Sequence, residues 1–176
     1  GIGECVAHGL AERGYRVLAT ARREEDVRRL QAAGLESFQL DVAEPASVGA
    51  GVEETLQRTG GTLYALFNNG AYGQPGAVED LTRETLRKQF ESNIFGWHEL
   101  TRQVIPVMRA QGHGRIVNCS SVLGLVPMKW RGAYVSTKYA LEGLTDVLRL
   151  EMQGTGIHVA LIEPGPVTSK IRENAI

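Results

Sequence analysis

Cysteine is scarce in this sequence: only Cys5 and Cys119 occur among 176 residues. Two cysteines cannot form the dense disulfide framework that stabilises many small secreted domains. We therefore expect reduced thiols and a cytoplasmic protein. Both cysteines have apolar neighbours, so we expect them to be small buried side chains without chemistry of their own.

Long apolar runs and a strong net charge are also lacking. No apolar run approaches the roughly 20 residues that a membrane-spanning helix requires, so the sequence predicts no membrane partner. The formal net charge is −1, which gives no reason to expect nucleic acid as a partner. The four histidines show no metal-ligand spacing with one another or with the cysteines, so no metal site is predicted.

The sequence does contain two alternating kinds of segment. Short apolar segments rich in β-branched or aromatic residues predict strands, and longer segments with helical spacing predict helices. Such alternation is typical of βαβ units and therefore of an α/β fold with a parallel sheet covered on both faces. The predicted strands are residues 15–21, 36–42, 63–68, 115–120 and 157–163, and the predicted helices are residues 4–13, 24–33, 46–58, 81–110 (one kinked helix or two in series) and 132–153.

The strongest chemical signal is the pair Tyr134 and Lys138 within a helical pattern. The i, i+4 spacing places both side chains on one helix face, one turn apart. A phenol with its usual pKa near ~10 is a poor acid–base catalyst at neutral pH. A neighbouring cation favours the phenolate, so the pair could move a proton to or from a carbonyl oxygen. An amphipathic helix with an exposed lysine would give the same pattern.

Ser121 strengthens that interpretation. It follows the predicted strand 115–120, and open parallel sheets bind ligands beyond the carboxyl ends of their strands. A hydroxyl there can donate a hydrogen bond to a substrate oxygen. Turn formation or capping at the end of the strand is the alternative role of this serine.

Together these residues resemble the short-chain dehydrogenases/reductases. The resemblance covers essentially the whole sequence, and its motifs occur in the order and spacing of that family. It implies a Rossmann-type doubly wound sheet in a single NAD(P)-binding domain over residues 1–176, with the family's first strand and its C-terminal part expected outside these residues. The motifs are Gly1-Ile2-Gly3, Asp41-Val42, Asn68-Asn69-Gly70-Ala71, Asn93, Ser121, Tyr134 with Lys138, and Pro164-Gly165.

The resemblance implies four catalytic residues. Tyr134 would be the general acid/base, and Lys138 would bind the nicotinamide ribose hydroxyls and lower the pKa of Tyr134. Ser121 would orient the substrate carbonyl. Asn93 would hold a water for the proton relay, although by its sequence alone it is a helix-kink or capping residue.

The resemblance also implies a cofactor site. The glycines at the start would let the backbone approach the pyrophosphate beside a helix N-terminus. Asp41 would accept a hydrogen bond from the adenine amine, although it is equally a candidate strand-end turn residue. The order Gly70-Ala71 reverses the family's usual Ala-Gly, and Ser169 replaces a frequent threonine. The implied cofactor-binding residues are Gly1, Ile2, Gly3, Arg22, Asp41, Val42, Asn69, Tyr134, Lys138, Pro164, Gly165, Val167 and Ser169.

The end of the first predicted strand favours NADP(H) over NAD(H). The family's acidic position, which would bind a free ribose 2′-hydroxyl, is Ala21, and Arg22 follows it directly. A guanidinium offers a planar fork to a 2′-phosphate, and no carboxylate is present there to repel that phosphate. The alternative is that Arg22 and Arg23 only solubilise the first turn of the next helix.

The predicted function is hydride transfer between NADP(H) and a small-molecule carbonyl or alcohol. A non-catalytic NADP(H) sensor and an epimerase or dehydratase of the same family are the alternatives. The family resemblance also implies a homodimer or homotetramer. An apolar substrate is suggested by Val122, Leu123, Met128 and Trp130.

Overall fold

The structure is a computed structural model that describes residues 1–167. Ser169 lies outside the described residues. Helices and strands alternate along the chain as the apolar pattern predicts. The helices are α1 (Ile2–Ala11), α2 (Glu24–Ala32), α3 (Pro45–Thr59), α4 (Arg83–Phe90), α5 (Gly96–Gln111) and α6 (Gly132–Glu151), and the strands are β1 (Leu18–Ala21), β2 (Glu36–Gln39), β3 (Ala65–Asn68), β4 (Gly114–Cys119) and β5 (Ile157–Ile162).

All strand pairs are parallel and form two ladders. One ladder pairs β1 with β2, and the other has the order β3-β4-β5. These pairings match the two halves of the doubly wound order 3-2-1-4-5-6, in which the first strand lies between the halves. Residues 1–167 contribute no strand at that position. The Rossmann-type α/β prediction is confirmed.

The main core lies between α3, α5 and the larger ladder. Leu100, Val104 and Met108 recur every four residues, so they form one face of α5. This face packs with Val48 of α3 and Ile116 of β4. Each fully buried aliphatic side chain of this size stabilises the fold by about 1.5–3 kcal/mol, so this packing fixes α5 against the sheet.

The predicted helical segment 81–110 consists of two helices in series. Between α4 and α5 the chain forms one π-helical turn, Glu91–Phe95. A π turn interrupts the regular i to i−4 ladder of hydrogen bonds. Asn93 lies in the middle of this turn, so it stands where the helical segment is interrupted.

Buried side-chain amides connect the larger ladder to two helices. Asn68 of β3 donates to Asn118 Oδ1 of β4 at 2.9 Å and to Thr101 Oγ1 of α5 at 3.3 Å. Asn118 in turn donates to Thr145 Oγ1 of α6 at 2.9 Å. All four side chains are buried. This amide chain sets α5 and α6 relative to the two strands that end at the candidate site.

Two expectations need correction. Cys5 is exposed, unlike the buried Cys119, because α1 directs only Ala7 fully into the core. Three strands are also two or three residues shorter than predicted, and one of them is β3, which begins at Ala65 and not at residue 63. β1 begins at Leu18 and not at residue 15, and β2 ends at Gln39, where Asp41 starts a turn by accepting a hydrogen bond from the Ala43 N–H at 3.0 Å.

Candidate active site

Helix α6 brings Tyr134 and Lys138 together in the interior. Tyr134 is 9% exposed and Lys138 only 1%, so the alternative of an exposed lysine is wrong. Lys138 Nζ donates to the carbonyl of Cys119 at 2.8 Å. The ammonium also lies 4.7 Å from the ring centre of Trp97 and 5.5 Å from that of Tyr134. The carbonyl and the two rings partly replace the water that a buried cation loses.

Burial shifts the pKa of both groups. It lowers the pKa of Lys138 to about 8, an effect partly offset by Cys119 and Glu142. Burial also raises the pKa of Tyr134, and the opposing hydrogen bond with Ser121 and the charge of Arg131 are smaller effects. We expected Lys138 to lower the pKa of Tyr134; in this structure that pKa is raised. The reason is that desolvation of the phenolate dominates.

Ser121 lies directly beyond β4 and has two contacts. Its Oγ accepts a hydrogen bond from the Leu123 N–H at 3.1 Å and so caps the 3₁₀ turn Val122–Gly124. Ser121 also lies within hydrogen-bonding range of the Tyr134 phenol, where it stabilises the phenolate. The capping alternative for Ser121 is therefore present. The end of a parallel strand also places the Ser121 hydroxyl beside Tyr134, the predicted acid–base side chain.

Asn93 lies close to the pair but is engaged in structural contacts. It is fully buried, with both amide protons donated: one to the Tyr72 carbonyl at 3.0 Å and one to Thr137 Oγ1 at 3.1 Å. Its Oδ1 accepts from the Tyr72 N–H at 3.2 Å. The side chain thus ties the π turn to α6 one residue before Lys138. A relay water at Asn93 stays a prediction.

The predicted phosphate-binding residues surround the start of α1. Gly1 is the N-cap of this helix, and no side chain of the described residues caps its first backbone N–H groups. A Cβ on Gly3 would lie 2.6 Å from Asn69 Nδ2. Glycine at position 3 therefore lets the loop after β3 approach the first turn. Gly1, Ile2, Gly3 and Asn69 come together, although they belong to distant parts of the chain.

The predicted adenosine-binding residues follow β1 and β2. Arg22 is exposed and forms no ion pair within the described residues, whereas Arg23 pairs with Glu25 and Asp26 at 3.0 Å each. One carboxylate oxygen of Asp41 accepts the hydrogen bond that starts its turn, so the turn role is confirmed. The other oxygen accepts no hydrogen bond from a described residue. Val42 follows directly.

The segment after β5 returns to the carboxyl end of β4, which Ser121 follows. The carbonyl of Pro164 accepts from the Val122 N–H at 3.0 Å, and the Ile162 carbonyl accepts from the Ser120 N–H at 2.8 Å. Pro164 and the Gly165 beside it are thereby held next to the turn that Ser121 caps. Val167 is exposed.

Several residues that shape the site were not among the predicted catalytic or cofactor-binding residues. Trp97 is almost fully buried against Lys138, and its Nε1 donates to the Gly70 carbonyl at 2.8 Å. A Cβ on Gly96 would overlap the carbonyl of Val42, so glycine allows α5 to start close to a predicted adenine-binding residue. Gln89 is fully buried and bridges Tyr72 and Gln74. Gln89 and Gly96 could have been found from the sequence, because a polar and a very small residue there occupy helical positions that face the core.

In the described part of the chain, no group of three or more His, Cys, Asp or Glu side chains is arranged to hold a metal ion. Within the same residues no helix has both the length and the apolarity to cross a membrane.

Comparison with known proteins gives consistent matches. The sequence model of the family described as short chain dehydrogenase matches residues 1–176. The chain is 41% identical over 174 residues to the uncharacterized oxidoreductase YbbO of Escherichia coli (strain K12), covering 99% of this chain and 65% of that protein. It is 31% identical over 175 residues to the 3-ketodihydrosphingosine reductase of Bacteroides thetaiotaomicron, and the match covers 99% of this chain and 63% of that protein. The chain thus spans somewhat less than two thirds of these relatives.

A solved structure shares the fold. The actinorhodin polyketide ketoreductase with NADPH superimposes with a TM-score of 0.91 at 33% identity, over 99% of this chain and 71% of that one.

Proposed function

Because this chain belongs to the short-chain dehydrogenase family, we propose that it forms the cofactor-binding and catalytic part of an NADP(H)-dependent oxidoreductase. The reaction is hydride transfer between the nicotinamide and a carbonyl or alcohol. The observation that carries this proposal is the meeting of Ser121, Tyr134 and Lys138 at the carboxyl end of β4.

The residues divide the chemistry between them. When bound, the nicotinamide supplies or accepts the hydride. Burial keeps the Tyr134 phenol protonated at neutral pH, which suits proton donation to a carbonyl oxygen. Ser121 donates a hydrogen bond to the same oxygen and orients it. Lys138 uses one of its three N–H donors on Cys119, so two remain for the ribose hydroxyls.

The described residues fit a dinucleotide phosphate. The backbone N–H groups in the first turn of α1, which no side chain of the described residues caps, suit a pyrophosphate. Arg22, free of carboxylate partners within residues 1–167, suits a 2′-phosphate, and Ala21 adds no opposing charge. A ketoreductase 33% identical to this chain was solved with NADPH. The remaining proposed cofactor contacts are those of Asp41, Val42, Asn69, Pro164, Gly165, Val167 and Ser169.

An apolar carbonyl compound is the proposed substrate. The loop between Ser121 and α6 carries several exposed apolar side chains, among them Leu125, Met128 and Trp130, the last 65% exposed. Trp130 also has a φ of 64°, which is unusual for a bulky residue and persists only where the surrounding structure imposes it. One relative is named 3-ketodihydrosphingosine reductase. A reduced cytoplasmic compartment agrees with the two free cysteines.

A panel of aldehydes and ketones tests the proposal. The intact protein should oxidise NADPH with at least one apolar carbonyl compound, measured by loss of nicotinamide absorbance, with protein-free and substrate-free controls. Tight NADPH binding without turnover on any member would instead support the sensor alternative. Turnover of a sugar or acyl compound without net NADPH oxidation would support an epimerase or dehydratase.

The intact protein should also be a homodimer or homotetramer. Leu144, Val147 and Leu150 are half or more exposed on α6, and Phe95 is half exposed beside α5. A second copy of the same surface, related by a twofold axis, would cover them. Light scattering at micromolar concentration should give an even multiple of the subunit mass. Leu150→Glu, which adds charge to an exposed position, should lower that mass, and a monomeric wild type would contradict the proposal.

A further inference from the structure

A fully buried glutamine of α4 binds the loop that follows β3. Gln89 is 0% exposed, and a buried amide costs free energy unless it is hydrogen-bonded. Its Oε1 accepts a hydrogen bond from the Gln74 N–H at 2.7 Å, and its Nε2 donates to the Tyr72 carbonyl at 2.8 Å. Both backbone groups belong to the three-residue segment 72–74. One side chain thus holds this segment at its two ends.

Two further contacts hold the same loop. Asn93, four residues beyond Gln89, donates to the Tyr72 carbonyl at 3.0 Å and accepts from the Tyr72 N–H at 3.2 Å. Further along the loop, the Gly76 N–H donates to the Trp130 carbonyl at 3.1 Å. The loop is therefore held between α4 with its π turn on one side and the residues that lead into α6 on the other.

The middle residue of the segment lies against the ring of Tyr134. A Cβ built on the buried Gly73 would lie 3.2 Å from Tyr134 Cδ2 and 3.5 Å from its Cγ. The backbone of Gly73 therefore packs directly on the ring, with no room for a larger side chain unless the ring moves. Because close-packed interiors transmit small displacements, a shift of segment 72–74 would change the position of the phenol.

We propose that Gln89 is a positioning residue: it holds segment 72–74 against the ring of Tyr134 and so fixes the direction in which the phenol meets the substrate oxygen. The inference rests on the proposed function, since it concerns the same proton transfer. Gln89 acts through the backbone of the segment, which contains none of the proposed cofactor contacts. Its effect should therefore appear in the chemical step and not in cofactor binding.

The first test is Gln89→Leu, which keeps a side chain of similar size and removes both hydrogen bonds. A displacement of about 1 Å can cost about a hundredfold in rate, so a shift of part of an ångström should lower kcat about tenfold. NADPH affinity should not change. The measurements are kcat for carbonyl reduction at saturating NADPH and substrate, and NADPH affinity by tryptophan fluorescence. A loss of NADPH affinity as large as the loss of kcat would overturn the inference.

Gln111→Leu is the matched control. Gln111 ends α5 and binds the backbone in the same way before the opposite end of β3: its Nε2 donates to the Leu63 carbonyl at 2.7 Å, and its Oε1 accepts from the Leu63 N–H at 3.2 Å. Both variants should lower Tm, because each loses hydrogen bonds between a side chain and the backbone. Only Gln89→Leu should also lower kcat, whereas a purely structural amide would affect kcat equally in the two variants.

Two other variants keep the inference testable if Gln89→Leu does not fold. Burial favours the neutral form of a carboxyl group, which offers both an acceptor and a donor, so Gln89→Glu should keep kcat near that of wild type. Gly73 has no positive φ, so Gly73→Ala suits the backbone and only presses a methyl group against Tyr134. It should lower kcat about two- to fivefold, in proportion to a small displacement of the ring. Wild-type kcat in Gly73→Ala would contradict the contact on which the inference depends.

The outcomes distinguish the inference from the proposed function. Equal kcat for Gln89→Leu and wild type would overturn the inference and leave Tyr134 as the proposed acid. If wild type reduces no carbonyl compound, the proposed function fails by itself, and nuclear magnetic resonance of ¹³C-labelled tyrosine then tests the contact without turnover. The ring signal of Tyr134, assigned by its loss in Tyr134→Phe, should move in Gln89→Leu and not in Gln111→Leu. An unmoved signal in Gln89→Leu would overturn the inference.

Discussion

The Tyr134→Phe variant should fold and bind NADPH like the wild type but turn over about 10²- to 10⁴-fold more slowly, the usual contribution of a positioned acid–base group. The phenol is the group that lies against Ser121 and above the Lys138 ammonium. Phenylalanine keeps the buried ring and removes only the proton donor. The measurement is kcat for the best carbonyl substrate, with NADPH affinity followed by fluorescence.

Tyr64→Phe is the matched control for this prediction. Tyr64 is half exposed and stacks on Tyr15 at the opposite ends of the strands, so loss of its hydroxyl should leave kcat unchanged. Near-wild-type turnover by Tyr134→Phe would exclude Tyr134 as the general acid.

The Arg22→Ala variant should bind NADPH about ten- to a hundredfold more weakly and NADH with unchanged affinity. A charge-assisted hydrogen bond contributes about 1.5–3 kcal/mol, and about 1.4 kcal/mol corresponds to a factor of ten. NADH lacks the 2′-phosphate, so it loses no contact. Adding Ala21→Asp should repel the phosphate, provide an acceptor for a free 2′-hydroxyl and turn the preference toward NADH. Titration of both cofactors by tryptophan fluorescence measures each affinity.

Arg23→Ala serves as the control, because Arg23 is already paired with Glu25 and Asp26. Its effect on NADPH should be much smaller than that of Arg22→Ala. Equal weakening of NADPH and NADH by Arg22→Ala would show that Arg22 supports the fold or the general electrostatics. A wild type that prefers NADH would contradict the proposed cofactor.

The sequence predicted those features that depend on local spacing. The i, i+4 relation placed Tyr134 and Lys138 on one face of α6, and the end of an apolar strand located Ser121. The segment 81–110 correctly predicted a kinked or divided helix, with Asn93 at the interruption. The order of strands and helices followed from alternation, since strands and helices have different apolar periods.

Contacts between distant segments could not be predicted in this way. The sequence does not show that Lys138 reaches the Cys119 carbonyl over the ring of Trp97. The burial of the Tyr134 phenol, which raises its pKa, also depends on segments that are distant in sequence, so this shift was not anticipated. The same holds for Gly96, whose missing side chain matters only because α5 begins against Val42. Burial and pKa depend on which segments meet, and local periodicity carries no information about that.

The amide chain from Thr101 through Asn68 and Asn118 to Thr145 has a consequence for how this fold can diversify. A shift of β3 against β4 by one residue, or a rotation of α6, would leave several buried amides without a hydrogen-bond partner. Each such amide would cost about 1–3 kcal/mol of folding free energy. The scaffold beneath the catalytic pair is therefore held independently of the loop that follows Ser121. Under the proposed function, that loop can exchange apolar residues to accept different carbonyl compounds, while α6 keeps Tyr134 at the position of the proposed proton transfer.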